Sequence, residues 1–298
     1  MSFTNPPVSF VQEYGSTVQM MAQQMQTKLR EAVRIENANG ERFYFELYNE
    51  NGDMNAVTNR FEDINPTDTL FERRAVDLLD YDFSQFVDSF DKLKMLIDPT
   101  SSIVQAQAAQ MNRKMDDIII ASLFADMKTG KTGSTTSALP AGQVVAVNSW
   151  AYGTGSGNAN LTISKLIEAA AILDNNDVPM EDRYFVMDPV NHSKLLATAE
   201  ATSSDFITSR SLETGKVDGL VGFKFIKSTR LPVDGSNYRR CFAWHKSGAG
   251  LAVAKEPTFD ISQRKDKRGM PWQAYLSLSM AGTRLENEKV VEVKCLAT

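Results

Sequence analysis

The sequence predicts an α+β fold, and three observations carry that prediction. Met111, Met115, Ile118, Ile119, Leu123 and Met127 recur at helical spacing within residues 101–129. Phe43, Phe45 and Leu47 alternate with Tyr44, Glu46 and Tyr48, the period of a strand. Short strand-like runs crowd the C-terminal half without the regular strand–helix alternation of a parallel α/β protein, and no internal repeat is present.

In chain order, residues 10–35 read as an amphipathic helix through Phe10, Val11, Tyr14, Val18, Met21, Met25, Leu29 and Val33. Such a helix is marginal alone and needs a surface to lie on. Residues 36–80 read as an extended two-stranded arm with a turn at Asn51-Gly52, a polar break at Asn65-Pro66-Thr67-Asp68, and a second strand over Leu70–Leu78. A lone hairpin is barely stable, so this one is expected to rest on another subunit. Asp98-Pro99-Thr100-Ser101 starts the long helix, with Ser101 as cap. At about 1.5 Å per residue it would reach roughly 40 Å, ending at Gly130.

Residues 129–160 are rich in Gly, Ser and Thr around one strand, Val144 to Trp150. A helix follows over 162–174, a strand over Tyr184–Met187, a short helix from Asp188-Pro189 to about Thr198, and a mobile loop over 200–220. Strands are expected at Phe223–Ser228, Arg240–His245, Leu251–Ala254, Phe259–Gln263, Gln273–Met280 and Val290–Val293.

The chain has 298 residues, a formal net charge of −5, and 42% hydrophobic residues, enough for a real core. Mild acidity argues against a dedicated nucleic-acid binder. Cys241 and Cys295 fit no metal spacing or disulfide framework and read as reduced thiols. Met1 to Phe10 lacks the basic start and apolar run of a signal peptide, and no stretch nears the roughly 18 to 20 apolar residues of a membrane span. Folding in a cytoplasm is expected.

The motifs that suggest chemistry are incomplete. Gly130-Lys131-Thr132 resembles the end of a phosphate-cradling loop, but position 125 is Ala and a helix precedes it. Gly153, Gly155 and Gly157 lack the third glycine of a dinucleotide fingerprint, since position 158 is Asn. His192 and His245 are tied to no Ser or Cys nucleophile and to no zinc-ligand spacing. Asp77, Asp80, Asp82, Asp88 and Asp91 form an acidic run without the spacing of a calcium loop. Gln263 to Gly269 holds the one basic cluster, without the aromatics of a nucleic-acid patch.

The order of parts is informative together with three local patterns. The first is Arg73-Arg74-Ala75-Val76-Asp77 through Val87-Asp88-Ser89-Phe90-Asp91 to Asp98-Pro99 and the long helix with Arg113 and Asp116-Asp117. The second runs from Ala169-Ala170-Ala171-Ile172-Leu173-Asp174 through Asn176-Asp177-Val178-Pro179 to Arg183-Tyr184-Phe185-Val186-Met187-Asp188-Pro189. The third is Gly219-Leu220-Val221-Gly222-Phe223-Lys224-Phe225, then Thr229-Arg230-Leu231-Pro232, then Ala281-Gly282-Thr283-Arg284. Over nearly its whole length the chain resembles the tailed-bacteriophage major capsid proteins of the Hong Kong 97 fold, of the short-tailed phage type with a separate scaffold.

The resemblance implies an N-arm with its amphipathic helix at 1–35 and an extended β-hairpin loop at 36–80. It implies a peripheral domain in two parts, 81–130 with the long spine helix and 251–298, and an axial domain at 131–250. The function implied is structural: hexamers and pentamers closing an icosahedral shell around double-stranded DNA, with no catalytic residue, cofactor or metal. Implied partners are further copies of the chain, a separate scaffolding protein, a portal protein, optionally a cement or decoration protein, and packaged DNA through weak non-specific contact, but no membrane. The expected location is the virion capsid, after assembly in the host bacterial cytoplasm. Candidate inter-subunit contacts are Phe43, Phe45, Arg73 and Arg74 on the hairpin and Arg264, Lys265, Lys267 and Arg268 in the basic cluster. No lysine lies between Lys28 and Lys92, so the lysine cross-link some members form from the extended loop is not expected. Nor is a large N-terminal cleavage, because the arm begins near residue 10. The rival readings are an encapsulin-like nanocompartment shell, an enzyme using the glycines at 153–157, and a tail or decoration protein, which the long helix disfavours.

Overall fold

The computed structural model describes residues 23–48, 71–87, 100–197 and 219–297. The turn at Asn51-Gly52, the break at 65–68, Asp88, Asp91, the start signal at Asp98-Pro99, most of the 200–220 loop and residues 10–22 of the first expected helix lie outside them. In chain order the strands and helices are β1 (Arg34–Asn37), β2 (Arg42–Tyr48), β3 (Phe71–Asp77), β4 (Leu79–Val87), α1 (Thr100–Phe124), β5 (Met127–Thr129), β6 (Thr135–Ser137), β7 (Val144–Val145), α2 (Ile163–Asn175), β8 (Arg183–Met187), α3 (Pro189–Ala197), β9 (Gly219–Leu220), β10 (Phe223–Lys227), β11 (Tyr238–His245), β12 (Ala249–Gln263), β13 (Trp272–Arg284) and β14 (Val290–Leu296). They form three sheets, ordered β1-β12-β13-β4, β7-β14-β11-β8-β10-β9 and β2-β3-β5-β6.

The chain divides into two compact units. The smaller takes Met1–Gln26, Tyr81–Lys114 and Pro257–Leu278. Within it, Gln273 donates to Ser84 Oγ at 2.6 Å, the Lys114 ammonium lies 4.2 Å over the Tyr81 ring, and Arg113 donates to Gln23 at 2.8 Å. The larger takes Thr27–Asp80, Met115–Glu256 and Ser279–Thr298. Its six-stranded sheet is packed with buried Phe185, Val186, Met187, Phe242, Ala243, Trp244, Val290, Val291 and Val293, and α2 presents Leu166, Ala169, Ala170 and Leu173 as its buried stripe. Thr162 caps α2 by accepting from the Lys165 N–H, and Asp177, with φ 52°, takes the left-handed position that ends it. β14 pairs with β11 from Tyr238↔Leu296 to Trp244↔Val290 and stands second in the six-stranded sheet that also holds β8 and β10.

Two expected helices are shorter than their periodicity suggests. Residues 23–35 are not helical beyond one 3-10 turn at Arg30–Ala32. The N–H groups of Lys28 and Leu29 donate to the buried Asp116 carboxylate at 3.1–3.2 Å, so they are unavailable for helical bonds. Ala32 O accepts from Trp244 Nε1 at 2.8 Å, and the chain then joins β12 in parallel, Arg34↔Gly250 to Asn37↔Val253. The long helix stops at Phe124 rather than near Gly130, because Met127–Thr129 is claimed by antiparallel pairing with β3 and β6. Buried Arg284 satisfies the freed Leu123 carbonyl at 3.0 Å. Val144 to Trp150 is a strand only at its first two residues.

Candidate subunit interface

The β2–β3 hairpin is anchored at its root and exposed at the limit of its described residues. Phe45 is 1% exposed and packs among Ala38, Val76, Ala252, Ala281 and Leu285. A Cβ at Gly250 would sit 2.9 Å from the Phe45 ring, so this packing needs glycine there. Phe43 is half-buried, edge-on to Phe45 with ring centroids 5.0 Å apart. Arg74 is buried as well, donating to Leu285 O at 2.8 Å and to Glu72 at 2.6 Å. The structure therefore corrects two expected contact residues: Phe45 and Arg74 are committed to the chain's own core. Likewise the hairpin does not lean only on a neighbour, since β3 pairs with β5 of the same chain.

Arg73 is exposed, with its guanidinium 2.8 Å from Glu46 across the ladder. At the last described rung, Tyr48 and Phe71 stand opposite each other, 62% and 69% exposed, with ring centroids 5.6 Å apart in a T. Sequence reasoning missed this pair. Their spacing in sequence carries no signal that pairs them, and only the register shows that they meet.

The basic cluster forms the tip of the β12–β13 hairpin. Arg264 N–H donates to Pro271 O at 2.9 Å and Met270 N–H to Lys267 O at 3.0 Å, with Gly269 and Met270 at positive φ. Arg264, Lys265, Lys267 and Arg268 are all exposed. Against these four cations stands the one carboxylate of Asp266, which Arg264 holds below the usual carboxylate range. Phe259, Ile261, Met270 and Trp272 near the tip are 39–52% exposed.

Other motifs are spent structurally. Gly130, with φ 87°, turns the chain between β5 and β6, and a Cβ at Gly133 would sit 2.4 Å from Ala75 Cβ, so the turn packs directly on β3. His245 does meet a serine, contrary to the sequence reading: its Nδ1 lies 2.8 Å from Ser247 Oγ and accepts from Ser247 N–H at 3.2 Å, which caps the turn Lys246–Gly248. Among the described residues no group partners Nε2 of buried His192, and burial lowers the pKa of both histidines. Cys241 and Cys295 are buried free thiols. Of the acidic run, Asp77 bonds Arg42 and Lys128.

A solid inner anchor with exposed aromatic and cationic extremities suits a protein that works by touching other chains, and the comparisons agree. The profile of a phage capsid protein family matches residues 7–297. The chain belongs to that phage capsid protein family. Its fold is the Hong Kong 97 type, which the structural matches bear out. A cyanophage P-SCSP1u capsid chain superposes with TM-score 0.77 at 15% identity, covering 97% of this chain and 94% of that one. The capsid of Helicobacter pylori bacteriophage KHP30 matches with TM-score 0.75 at 11% identity, covering 98% and 97%, and that of Ralstonia phage GP4 with 0.72 at 10%, covering 100% and 97%. The major capsid protein of Escherichia phage T7 is 25% identical over 115 residues, 36% of this chain and 33% of the relative. The T7 minor capsid protein matches over the same length, 29% of its chain. The aligned stretch thus spans about a third of these relatives. As a phage capsid protein the chain has a structural role in the virion's head, and the family match favours that reading over an encapsulin-like compartment.

Proposed function

We propose that this capsid protein is the major shell subunit of an icosahedral phage head, forming hexamers and pentamers around double-stranded DNA without catalysis or cofactor. The observation that supports it most is the hairpin: Phe45 is locked in the core while Tyr48 and Phe71 are offered outward. Such an arm adds contact area on a neighbour without a large rigid interface, and many weak contacts sum to a stable shell. Arg73 and the basic tip with Lys265, Lys267 and Arg268 supply the polar contacts, with an acidic surface of a neighbour as partner. Phe43 serves at the hairpin's flank. The axial domain comprises about 131–250 together with β14, and the spine helix, β12 and β13 make the peripheral domain. Assembly takes place in the bacterial cytoplasm with a separate scaffolding protein, a portal protein at one vertex and optionally a cement protein, and DNA is contacted weakly. The test is electron microscopy of the chain expressed with its scaffold. Regular closed shells are expected; a persistent soluble monomer whose stability depends on a small ligand would refute the proposal.

A further inference from the structure

The turn that joins β11 to β12 carries more than a cap. A backbone N–H can only donate, so His245 Nδ1, which accepts from Ser247 N–H at 3.2 Å, holds a lone pair and the ring's proton sits on Nε2. The Ser247 hydroxyl lies 2.8 Å from the same Nδ1, so its O–H donates there as well. A hydroxyl donating to an unprotonated imidazole nitrogen is the arrangement of a nucleophile with its general base. Burial holds the His245 pKa below its ordinary value, with Lys289 and Arg183 acting in the same sense and Asp182 and Glu286 against them, so the ring is neutral at physiological pH.

The pair opens on a space. Ser247 and His245 are both half-buried and line a cavity of about 830 Å³ within the larger unit, the size that takes a small ligand. Val33, Ile35 and Tyr184 give it an apolar wall. Glu31 and Asp182 also line it, but the Asp182 carboxylate already accepts from Lys224 at 2.7 Å. Of its cations, Arg30 and Arg34 hold Glu256 and Glu36, while exposed Lys246 has no ion pair among the described residues and can meet an anion. An apolar wall, a nucleophile and a lone cation suit a small acyl group with an anionic leaving group. We propose that Ser247 is an acylation site: a small acyl phosphate enters the cavity with its phosphate at Lys246, and Ser247 Oγ attacks the carbonyl carbon while the hydroxyl proton passes to His245 Nδ1. The carbon–oxygen bond to phosphate breaks, the acyl group stays on Ser247 Oγ as an ester, and the proton leaves with inorganic phosphate. Among the described residues no carboxylate bonds the imidazole, so nothing orients the base for repeated turnover and the reaction ends at the acylated serine. The inference does not depend on the shell reading above.

The test incubates the full chain with acetyl phosphate and maps the acetyl group by peptide mass analysis. Acetylation is expected at Ser247, at a rate that falls as the pH drops below about 6.5, where His245 takes up a proton and ceases to be a base. Ser247→Ala should abolish the label. His245→Asn keeps an acceptor for the Ser247 N–H but no base, and should slow labelling roughly a hundredfold. Wild type unfolded in urea is the check that needs no variant to fold: its Ser247 should label as slowly as that of His245→Asn. Acetyl on Lys246 with Ser247 unmodified, a rate indifferent to pH, equal rates in wild type and His245→Asn, or equal rates in folded and unfolded chain would each overturn the proposal.

Discussion

At Phe45 the ring is 1% exposed, while three positions along the same strand the Tyr48 ring is 62% exposed and meets Phe71 at 69%. Truncating them should therefore have opposite consequences. Phe45→Ala removes a ring from a close-packed cluster and should cost about 3 to 5 kcal/mol in the denaturant midpoint of the isolated chain. Tyr48→Ala and Phe71→Ala should stay within about 0.5 kcal/mol of wild type but lower shell yield. Equal stability losses at all three would show that the outer pair serves the fold and not assembly. The histidines make a second prediction at this scale. His192 and His245 have folded pKa values lowered by burial, assisted by Lys227 and Lys289 respectively. Below their ordinary value of about 6.5 the unfolded chain binds more protons than the folded one, so stability falls as the pH drops through that value. His192→Gln should flatten the fall below about pH 6.5, measured as the denaturant midpoint against pH. An unchanged slope would mean that His192 takes up its proton without cost.

At the scale of elements, α1 depends on what replaces its last turn. Arg284 is 1% exposed, and its two terminal nitrogens donate to Leu123 O at 3.0 Å and Ser137 O at 3.3 Å. Arg284→Met fills similar volume but leaves both carbonyls short of a donor, so it should destabilise the chain by about 2 to 4 kcal/mol by thermal or denaturant melt. A neutral result would mean that the end of α1 is satisfied by water. The same helix marks where sequence pattern stops being legible. The hairpin was readable because Phe43, Phe45 and Leu47 alternate along β2, although its partner strand buries Arg74, Ala75 and Val76 in succession. The end of α1 was not, because Met127 continues the i, i+4 face of Leu123 although its backbone is paired in a strand. β12 was read as two strands because Lys255, Glu256 and Pro257 interrupt the apolar pattern. It is one strand of 15 residues whose pairing with β1 ends at Val253, before Pro257 would need a donor on that side. On the interface, the exposed cations were legible from sequence, whereas Phe45 and Arg74 were not separable from surface residues until their long-range partners Leu285 and Ala252 were placed.

At the scale of the whole molecule, the question is whether the shell is held by covalent or non-covalent links. An amide cross-link from the extended loop needs a nucleophilic amine, and residues 36–80 carry only Arg42, Arg60, Arg73 and Arg74 as cations. A guanidinium stays protonated at any physiological pH and is no nucleophile, so it binds carboxylates but does not acylate. Arg42 and Arg73 are engaged in that way, with Asp77 and Glu46. On the proposed shell reading the hairpin attaches by aromatic packing and ion pairs, each weak and reversible alone, and strong only when repeated around a closed shell. Mature particles boiled in detergent should therefore run as a single monomer band, because each contact fails independently once the shell's multivalency is lost. A ladder of covalent oligomers from boiled particles would overturn this, and would require a nucleophile outside the hairpin. The same reasoning makes the particle salt-sensitive in proportion to its exposed pairs, which are screened over a Debye length of about 8 Å at physiological ionic strength, while the aromatic contacts are not.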